Sequence, residues 1–219
     1  IFNRKVWENI MRVYIEPSIA KGKVLAPPSK SMAHRALICG ALSRDAKINN
    51  LAYSKDILAT LDCLKKMGAK VSQNEECVEI GQLDPFQIEE GTEMFCNESG
   101  STLRFLIPLC MLSGKKVVLT GTERLFERPL TIYEDICREK NIFFEREKDR
   151  VTVCGKLTSG QYYVPGNVSS QFITGLLFTL PLVTGDSVLT VTGKFESASY
   201  IDLTLSAMQY FGIDIKRVE

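Results

Sequence analysis

The sequence has no excess of charge of either sign, no C-x-x-C pair, a single histidine and no long uninterrupted apolar run. Each shortage excludes something. Lys+Arg 27 against Asp+Glu 26 leaves a net charge of +1, so no global basic field gathers nucleic acid or an anionic membrane, and any anion site has to be local. The seven cysteines (Cys39, Cys63, Cys77, Cys96, Cys110, Cys137 and Cys154) are odd in number and sit mostly within apolar runs. That pattern suits reduced thiols rather than a disulfide framework or a zinc site. No stretch approaches the roughly 18 to 20 apolar residues of a membrane span, and the first ten residues lack the apolar core of a signal peptide. A cytoplasmic protein is expected. Met11-Arg12-Val13-Tyr14-Ile15 reads as a natural start running straight into a strand, which sets residues 1–10 apart as an extraneous leader. The rest is ordinary globular material, with 45% hydrophobic and 24% charged residues in 219, enough to bury a sizeable core.

What the chain has in abundance is self-similarity. Three segments open on a serine and run into an apolar helix, beginning at Ser31, Ser101 and Ser170, which stand 70 and 69 residues apart. Each is followed by a turn and a β-branched, alternating segment, clearest at Ser113–Gly121 and Thr184–Gly193 and weaker at Ser43–Leu51. Further on, every copy has an amphipathic helix that closes into a β segment: 58–67 then 68–71, 132–140 then 141–144, and 203–211 then 212–215. Gly68, Asn141 and Gly212 suit the left-handed residue that ends a helix. The unit is β-α-β-α-β-β, repeated at about 25–90, 91–160 and 161–219. Its first helix is apolar nearly all round and calls for burial, whereas its second has a polar face turned outward. The fold class expected is α/β (α+β) with pseudo-threefold symmetry, buried parallel helices surrounded by sheets. An ordinary open α/β layer with coincidental spacing is the alternative.

Three parallel buried helices present three N-termini at one end, and unpaired N–H groups with the positive end of each macrodipole make such an end an anion site. The flanking residues fit: Lys30 and Arg35 beside Ser31, Arg104 one turn after Ser101, and Ser169, Ser170 and Gln171 at the third start. One capping serine is an ordinary helix device worth about 1 kcal/mol. Three at one phase of a repeat, two of them with cations, point to a ligand.

At these positions the chain resembles the EPSP synthase family. Pro28-Ser29-Lys30-Ser31-Met32-Ala33-His34-Arg35, Arg124-Leu125-Phe126-Glu127-Arg128-Pro129, Val168-Ser169-Ser170-Gln171-Phe172 and Ser197-Ala198-Ser199-Tyr200-Ile201-Asp202 are similar to four successive family signatures, in order, within a likeness running from about Met11 to Glu219. The resemblance implies an inside-out barrel domain and transfer of the enolpyruvyl group of phosphoenolpyruvate to shikimate 3-phosphate. It assigns residues 11–219 to the N-terminal domain, with a C-terminal domain as missing partner.

The resemblance further implies shikimate 3-phosphate contacts from Lys30, Ser31, Arg35, Ser169, Ser170, Gln171, Ser197 and Tyr200. It implies phosphoenolpyruvate contacts from Lys30, Gly100, Arg124 and Gln171, with Lys30 and Gln171 the catalytic pair between the substrates. Ser101, Arg104 and Arg128 are further candidates. A guanidinium suits such anions because it forks onto carboxylate or phosphate. The family's acid–base groups come from the second domain, so this chain is expected to bind shikimate 3-phosphate without turning it over. No metal or organic cofactor is implied, and neither nucleic acid nor membrane is an expected partner.

Two positions depart from the family pattern. Glu98 stands where asparagine is usual, putting a carboxylate near an anion site, so it is expected to point away or pair with a cation. Pro28 stands where glycine is usual and stiffens the turn without removing a ligand. His34 reads as a helix-surface or packing residue rather than an acid–base group, and Asp56 and Asp62 are spaced wrongly for a catalytic pair on one helix face. Three other functions share features of the pattern: a UDP-N-acetylglucosamine enolpyruvyl transferase, an RNA 3′-phosphate cyclase-like protein and a non-catalytic binding module. The Lys30-Ser31 and Ser169-Ser170-Gln171 motifs speak against the first. Neutral charge without interleaved basic and aromatic residues speaks against the second.

Overall fold

The computed structural model describes residues 13–218; the expected leader at 1–10, with Met11 and Arg12, lies outside the described residues. From Lys30 onward the chain writes one pattern repeatedly. The first copy runs α1 (Lys30–Leu42), β1 (Ala46–Asn49), α2 (Lys55–Lys66), β2 (Val71–Gln73) and β3 (Cys77–Ile80). The second runs β4 (Thr92–Phe95), α3 (Gly100–Cys110), β5 (Val117–Thr120), a short α4 (Glu123–Phe126), α5 (Thr131–Glu139), β6 (Phe143–Arg146) and β7 (Arg150–Cys154). The third comprises β8 (Gly160–Pro165), α6 (Ser170–Thr179), β9 (Ser187–Thr192) and α7 (Ala198–Tyr210).

The sheets show that these are copies. The second is ordered β4-β5-β7-β6, with β4 parallel to β5 and the remaining pairs antiparallel. The first, β1-β3-β2, is the same sheet without its leading strand, and the third, β8-β9, is its parallel pair alone. Gly68, Asn141 and Gly212 all have positive φ, as the helix ends require.

Two expected β segments are absent. Residues 13–29 belong to no sheet, and Tyr14 and Leu25 are 97% and 95% exposed; residues 213–218 are likewise without a strand. Alternation alone does not make a strand, because its N–H and C=O groups need a neighbouring strand to pair with, and neither segment is paired with a described strand.

The serine expectation shifts by one or two residues. The N-caps are Ser29, Ser99 and Ser169, whose side chains accept from the N–H of Met32, Thr102 and Gln171. Ser31 and Ser101 lie inside the first turn, and Ser170 is the first residue of α6. On this register Ser31, Ser101 and Gln171 occupy equivalent places.

The first helices are buried almost all round, as their composition demands. The second helices keep a polar outer face, but α2 and α7 also wedge between the first helices. Hydrogen bonds close a ring: His34 of α1 to Thr60 of α2 at 2.8 Å, Thr60 to Thr102 of α3 at 2.7 Å, Gln171 of α6 to Ser101 of α3 at 2.9 Å, Thr174 of α6 to Thr204 of α7 at 2.9 Å, and Arg35 of α1 to Thr204 at 2.8 Å. Contacts further along repeat the same order: Lys30 with Asp56 ahead of His34 with Thr60, Thr102 with Asp56 ahead of Cys110 near Cys63, Ser101 with Gln171 ahead of Pro108 near Gly175, and Arg35 with Thr204 ahead of Gly40 near Phe211. All five therefore run parallel with their N-termini at one end.

Among the helix pairs, α3 and α6 have the most extensive contact. Gly175 sets it: a methyl group there would collide with the Tyr133 hydroxyl and lie 2.5 Å from the Arg104 carbonyl. Pro108 within α3 cannot donate to that carbonyl four residues earlier. The buried Tyr133 hydroxyl donates instead, at 2.6 Å.

Candidate functional site

The common end of the five helices carries nearly every residue singled out from the sequence. At α1, Lys30 is the first helical residue and its Nζ lies 2.7 Å from Asp56 Oδ2. Arg35, one turn deeper, is 3% exposed and spends its guanidinium on the protein: Nε donates to Thr204, Nη1 to the Ser31 carbonyl at 2.7 Å, and Nη2 to the Tyr200 carbonyl at 3.1 Å and Thr174 at 3.5 Å. Its Cζ also stands 5.3 Å from the centre of the Phe105 ring. Burial brings its pKa down to about 10. In this geometry Arg35 ties Ser31 and Tyr200 together. Ser197 caps α7 by position, and Tyr200 is half-exposed at its first turn.

The α3 and α6 starts face each other. Gln171 accepts from Arg104 Nη1 at 2.6 Å and donates to Ser101 Oγ at 2.9 Å, so its amide is oriented at both ends. Arg104 also donates to the Pro129 carbonyl at 3.0 Å and lies 4.9 Å over the Phe172 ring, but its buried Nε has no partner. Its pKa is lowered by burial first, with the Arg128 and Arg146 guanidiniums adding to the effect. Gly100 sits beneath this cluster. A methyl group built on it would lie 2.9 Å from Arg128 Nη1 and 3.5 Å from both Arg104 Nη1 and Gln171 Oε1. Glycine therefore leaves open the space where two guanidiniums, an oriented amide and a helix start converge.

Ser169 caps α6, and Ser170 follows it, buried. Arg124 is exposed on α4 and, among the described residues, makes no hydrogen bond or ion pair; the structure does not bring it against Gly100. Glu98 is exposed and makes no ion pair among the described residues. His34 is buried packing: Nδ1 meets Thr60, Nε2 is unpartnered, and desolvation takes its pKa down to about 4. All seven cysteines are free, and burial drives the Cys39 thiol up to about 12.

Sequence reasoning missed three features. Asp56 pairs with Lys30, Arg128 stands over Gly100, and Thr60, Thr102, Thr174 and Thr204 form the polar joints of the ring. The last had a visible signal, since threonines within otherwise apolar helix faces need partners. The first two join residues about one helix apart in sequence and carry no periodic mark.

Chemically, the arrangement gathers helix N–H groups, hydroxyls, one amide and several cations at one end, suited to a ligand with more than one anionic group. Comparison with known proteins agrees in family. Residues 16–219 match the family model of EPSP synthase (3-phosphoshikimate 1-carboxyvinyltransferase). A 3-phosphoshikimate 1-carboxyvinyltransferase from Clostridium perfringens (strain SM101 / Type A) is 43% identical over 208 residues, covering 94% of this chain and 49% of the relative. One from Clostridium kluyveri is 43% identical over 204 residues, covering 92% and 48%. The chain thus spans about half the length of the curated relatives it matches. In fold, it is similar to EPSP synthase from Acinetobacter baumannii, with a TM-score of 0.73 at 24% identity over 90% of this chain and 45% of that one.

Proposed function

The chain belongs to the EPSP synthase family, and on that premise we propose that it forms the shikimate 3-phosphate-binding portion of an enzyme of aromatic amino acid biosynthesis. That enzyme moves the enolpyruvyl group of phosphoenolpyruvate onto the 5-hydroxyl of shikimate 3-phosphate. The hydroxyl gives up its proton as its oxygen adds to the central carbon of phosphoenolpyruvate, whose methylene carbon takes a proton and becomes a methyl group. Loss of one methyl proton and of phosphate from the tetrahedral adduct then gives the product. The observation that carries the reading is the shared end of five parallel helices, where Gln171 is held between Arg104 and Ser101 beside Gly100.

The roles proposed for single residues are those the family resemblance implies. Ser169, Ser170, Ser197 and Tyr200 take the phosphate and ring of shikimate 3-phosphate, with Ser31 and Arg35 on the α1 side. Gly100 and Gln171 are assigned to phosphoenolpyruvate, with Arg104 and Arg128 as the neighbouring cations; Arg124, exposed on α4 and away from Gly100, keeps its phosphoenolpyruvate role on the family resemblance alone. Lys30 and Gln171 serve both substrates. Preorganised donors of this kind stabilise charge without reorganising at the moment of reaction. In the family the carboxylates and lysine credited with proton transfer come from the other domain, so the roles proposed for these residues are binding and positioning ones.

Isothermal titration tests this. Shikimate 3-phosphate is expected to bind saturably, shikimate without its phosphate to bind far more weakly, and Ser170→Ala to weaken the phosphate ligand by about ten-fold, the scale of one charge-assisted hydrogen bond. Equal binding of the two ligands by a folded chain would refute the assignment.

A further inference from the structure

Glu127, Arg128, Pro129 and Leu130 form the elbow between α4 and α5, and it has little backbone support of its own. The bond from the Arg128 N–H to the Leu125 carbonyl is 3.4 Å long. Pro129 has no N–H to give, and among the described residues no backbone donor meets the Phe126 carbonyl at the end of α4. Leu130, where α5 opens, offers no side-chain cap. Yet this elbow sets two features of the α3–α6 wall. It carries Arg128, whose Nη1 would lie 2.9 Å from a methyl group on Gly100, and the Pro129 carbonyl, which accepts from Arg104 Nη2 at 3.0 Å.

A side chain from another element supplies what the elbow lacks. Arg146, the last residue of β6, donates through Nη2 to the Phe126 carbonyl and places Nη1 3.7 Å from Glu134 Oε1 in the first turn of α5. One planar guanidinium thus spans the elbow from the end of one helix to the start of the next. The β6–β7 hairpin that bears it is also tied to the other end of α4. There the Gly121 N–H donates to the Asp149 carbonyl at 3.0 Å, and Lys148 Nζ lies 2.9 Å from Glu123 Oε1.

We propose that Arg146 is a positioning residue: it clamps the α4–α5 elbow and so fixes Arg128 over Gly100 and the Pro129 carbonyl against Arg104. The inference rests on the reading of Arg104 and Arg128 as the cations on the phosphoenolpyruvate side. Arg146 is also near enough to Arg104 to add to the effect of burial on its pKa, so a purely electrostatic role has to be separated from a clamp. The two differ at Glu134. By charge alone, losing Arg146 weakens a nearby anion and losing Glu134 strengthens it. A clamp is broken from either end, so both losses weaken the anion.

The test titrates phosphoenolpyruvate, and separately shikimate 3-phosphate, into the wild-type chain and into Arg146→Gln, Arg146→Lys and Glu134→Ala, each checked for folding by circular dichroism. In parallel, NMR of chains carrying 15N-arginine follows solvent exchange of the buried Arg104 Nε–H, assigned with Arg104→Lys. Arg146→Gln and Glu134→Ala are each expected to weaken phosphoenolpyruvate about three-fold, the range of a partly exposed ion pair. Both speed the Arg104 exchange and leave shikimate 3-phosphate unchanged, since its phosphate contacts are proposed on α6 and α7. Arg146→Lys keeps the charge without the planar fork and falls between wild type and Arg146→Gln. Phosphoenolpyruvate bound by Glu134→Ala as tightly as by wild type, or more tightly, overturns the proposal. So does an equal loss of shikimate 3-phosphate in Arg146→Gln, which would mark a general loss of structure. If the wild-type chain takes shikimate 3-phosphate but no phosphoenolpyruvate, the reading of this wall as the phosphoenolpyruvate side fails and the Arg104 exchange decides alone: faster exchange in both variants sustains the clamp, and unchanged exchange sinks it.

Discussion

Arg35 and Arg104 are both buried guanidiniums without a carboxylate partner, yet they are treated differently. Arg35, on the α1–α7 side, meets neutral oxygens from α1, α6 and α7 with all three of its nitrogens. Arg104, on the α3–α6 side, leaves Nε unpartnered and has Arg128 close by. A buried cation surrounded by oriented oxygens is a structural fastener. One left short of acceptors beside a second cation keeps unspent attraction for an anion. The comparison teaches that the two walls of one pseudo-symmetric end divide the work, one fixing the helices and the other holding charge in reserve.

The sharpest way to break this comparison is to remove each arginine in turn. Arg35→Ala strands four acceptors across three helices and is expected to cost about 4 kcal/mol of stability, read as a shift of the denaturant midpoint. Arg104→Ala should cost roughly half as much but weaken phosphate binding more, by titration. An equal stability loss would erase the distinction.

Acid probes the same wall. Burial holds His34 neutral with a pKa of about 4 in the folded state against 6.5 unfolded. Between those values the unfolded chain binds the extra proton, so the stability that neutral His34 permits is present above pH 6.5 and is lost as pH falls toward 4. The loss is about 3 kcal/mol. His34→Gln is expected to flatten that part of the stability–pH curve; an unchanged slope would show that His34 is not its source.

On the α3–α6 wall, Tyr133→Phe removes the donor to the Arg104 carbonyl that Pro108 cannot serve, and about 2 kcal/mol should be lost, measured by thermal or denaturant unfolding. The smallest stability effect is expected from Gly100→Ala, under about 1 kcal/mol, since the flexible end of Arg128 can move aside. Its anion affinity should nevertheless fall several-fold, because the new methyl occupies the space between Arg128, Arg104 and Gln171. A variant that binds phosphate as well as wild type would place the anion elsewhere.

The repeat was legible because it is written locally. Serine, apolar run, turn, alternating segment and left-handed helix end follow one another within each copy, and each element obeys its own short-range rule. The helix starts were read slightly late, at Ser31 and Ser101 rather than Ser29 and Ser99. An apolar run announces where burial begins, whereas a cap is the residue whose extended backbone turns its hydroxyl onto an N–H two or three places on. The strands expected at 13–15 and 212–215 failed for the converse reason, since strand identity belongs to a pair.

The sequence by itself therefore determined the repeating unit, the burial of its first helices and the stock of hydroxyls, amide and cations at their starts, because period and composition act over one or two turns of chain. Only the tertiary structure decided which of these meet: Lys30 with Asp56, Arg104 with Gln171, Arg128 over Gly100, and Arg35 turned inward onto α6 and α7. Those pairings depend on how closely neighbouring helices approach, and that distance is set by side chains such as Gly175 whose effect is invisible until the partner helix is beside them.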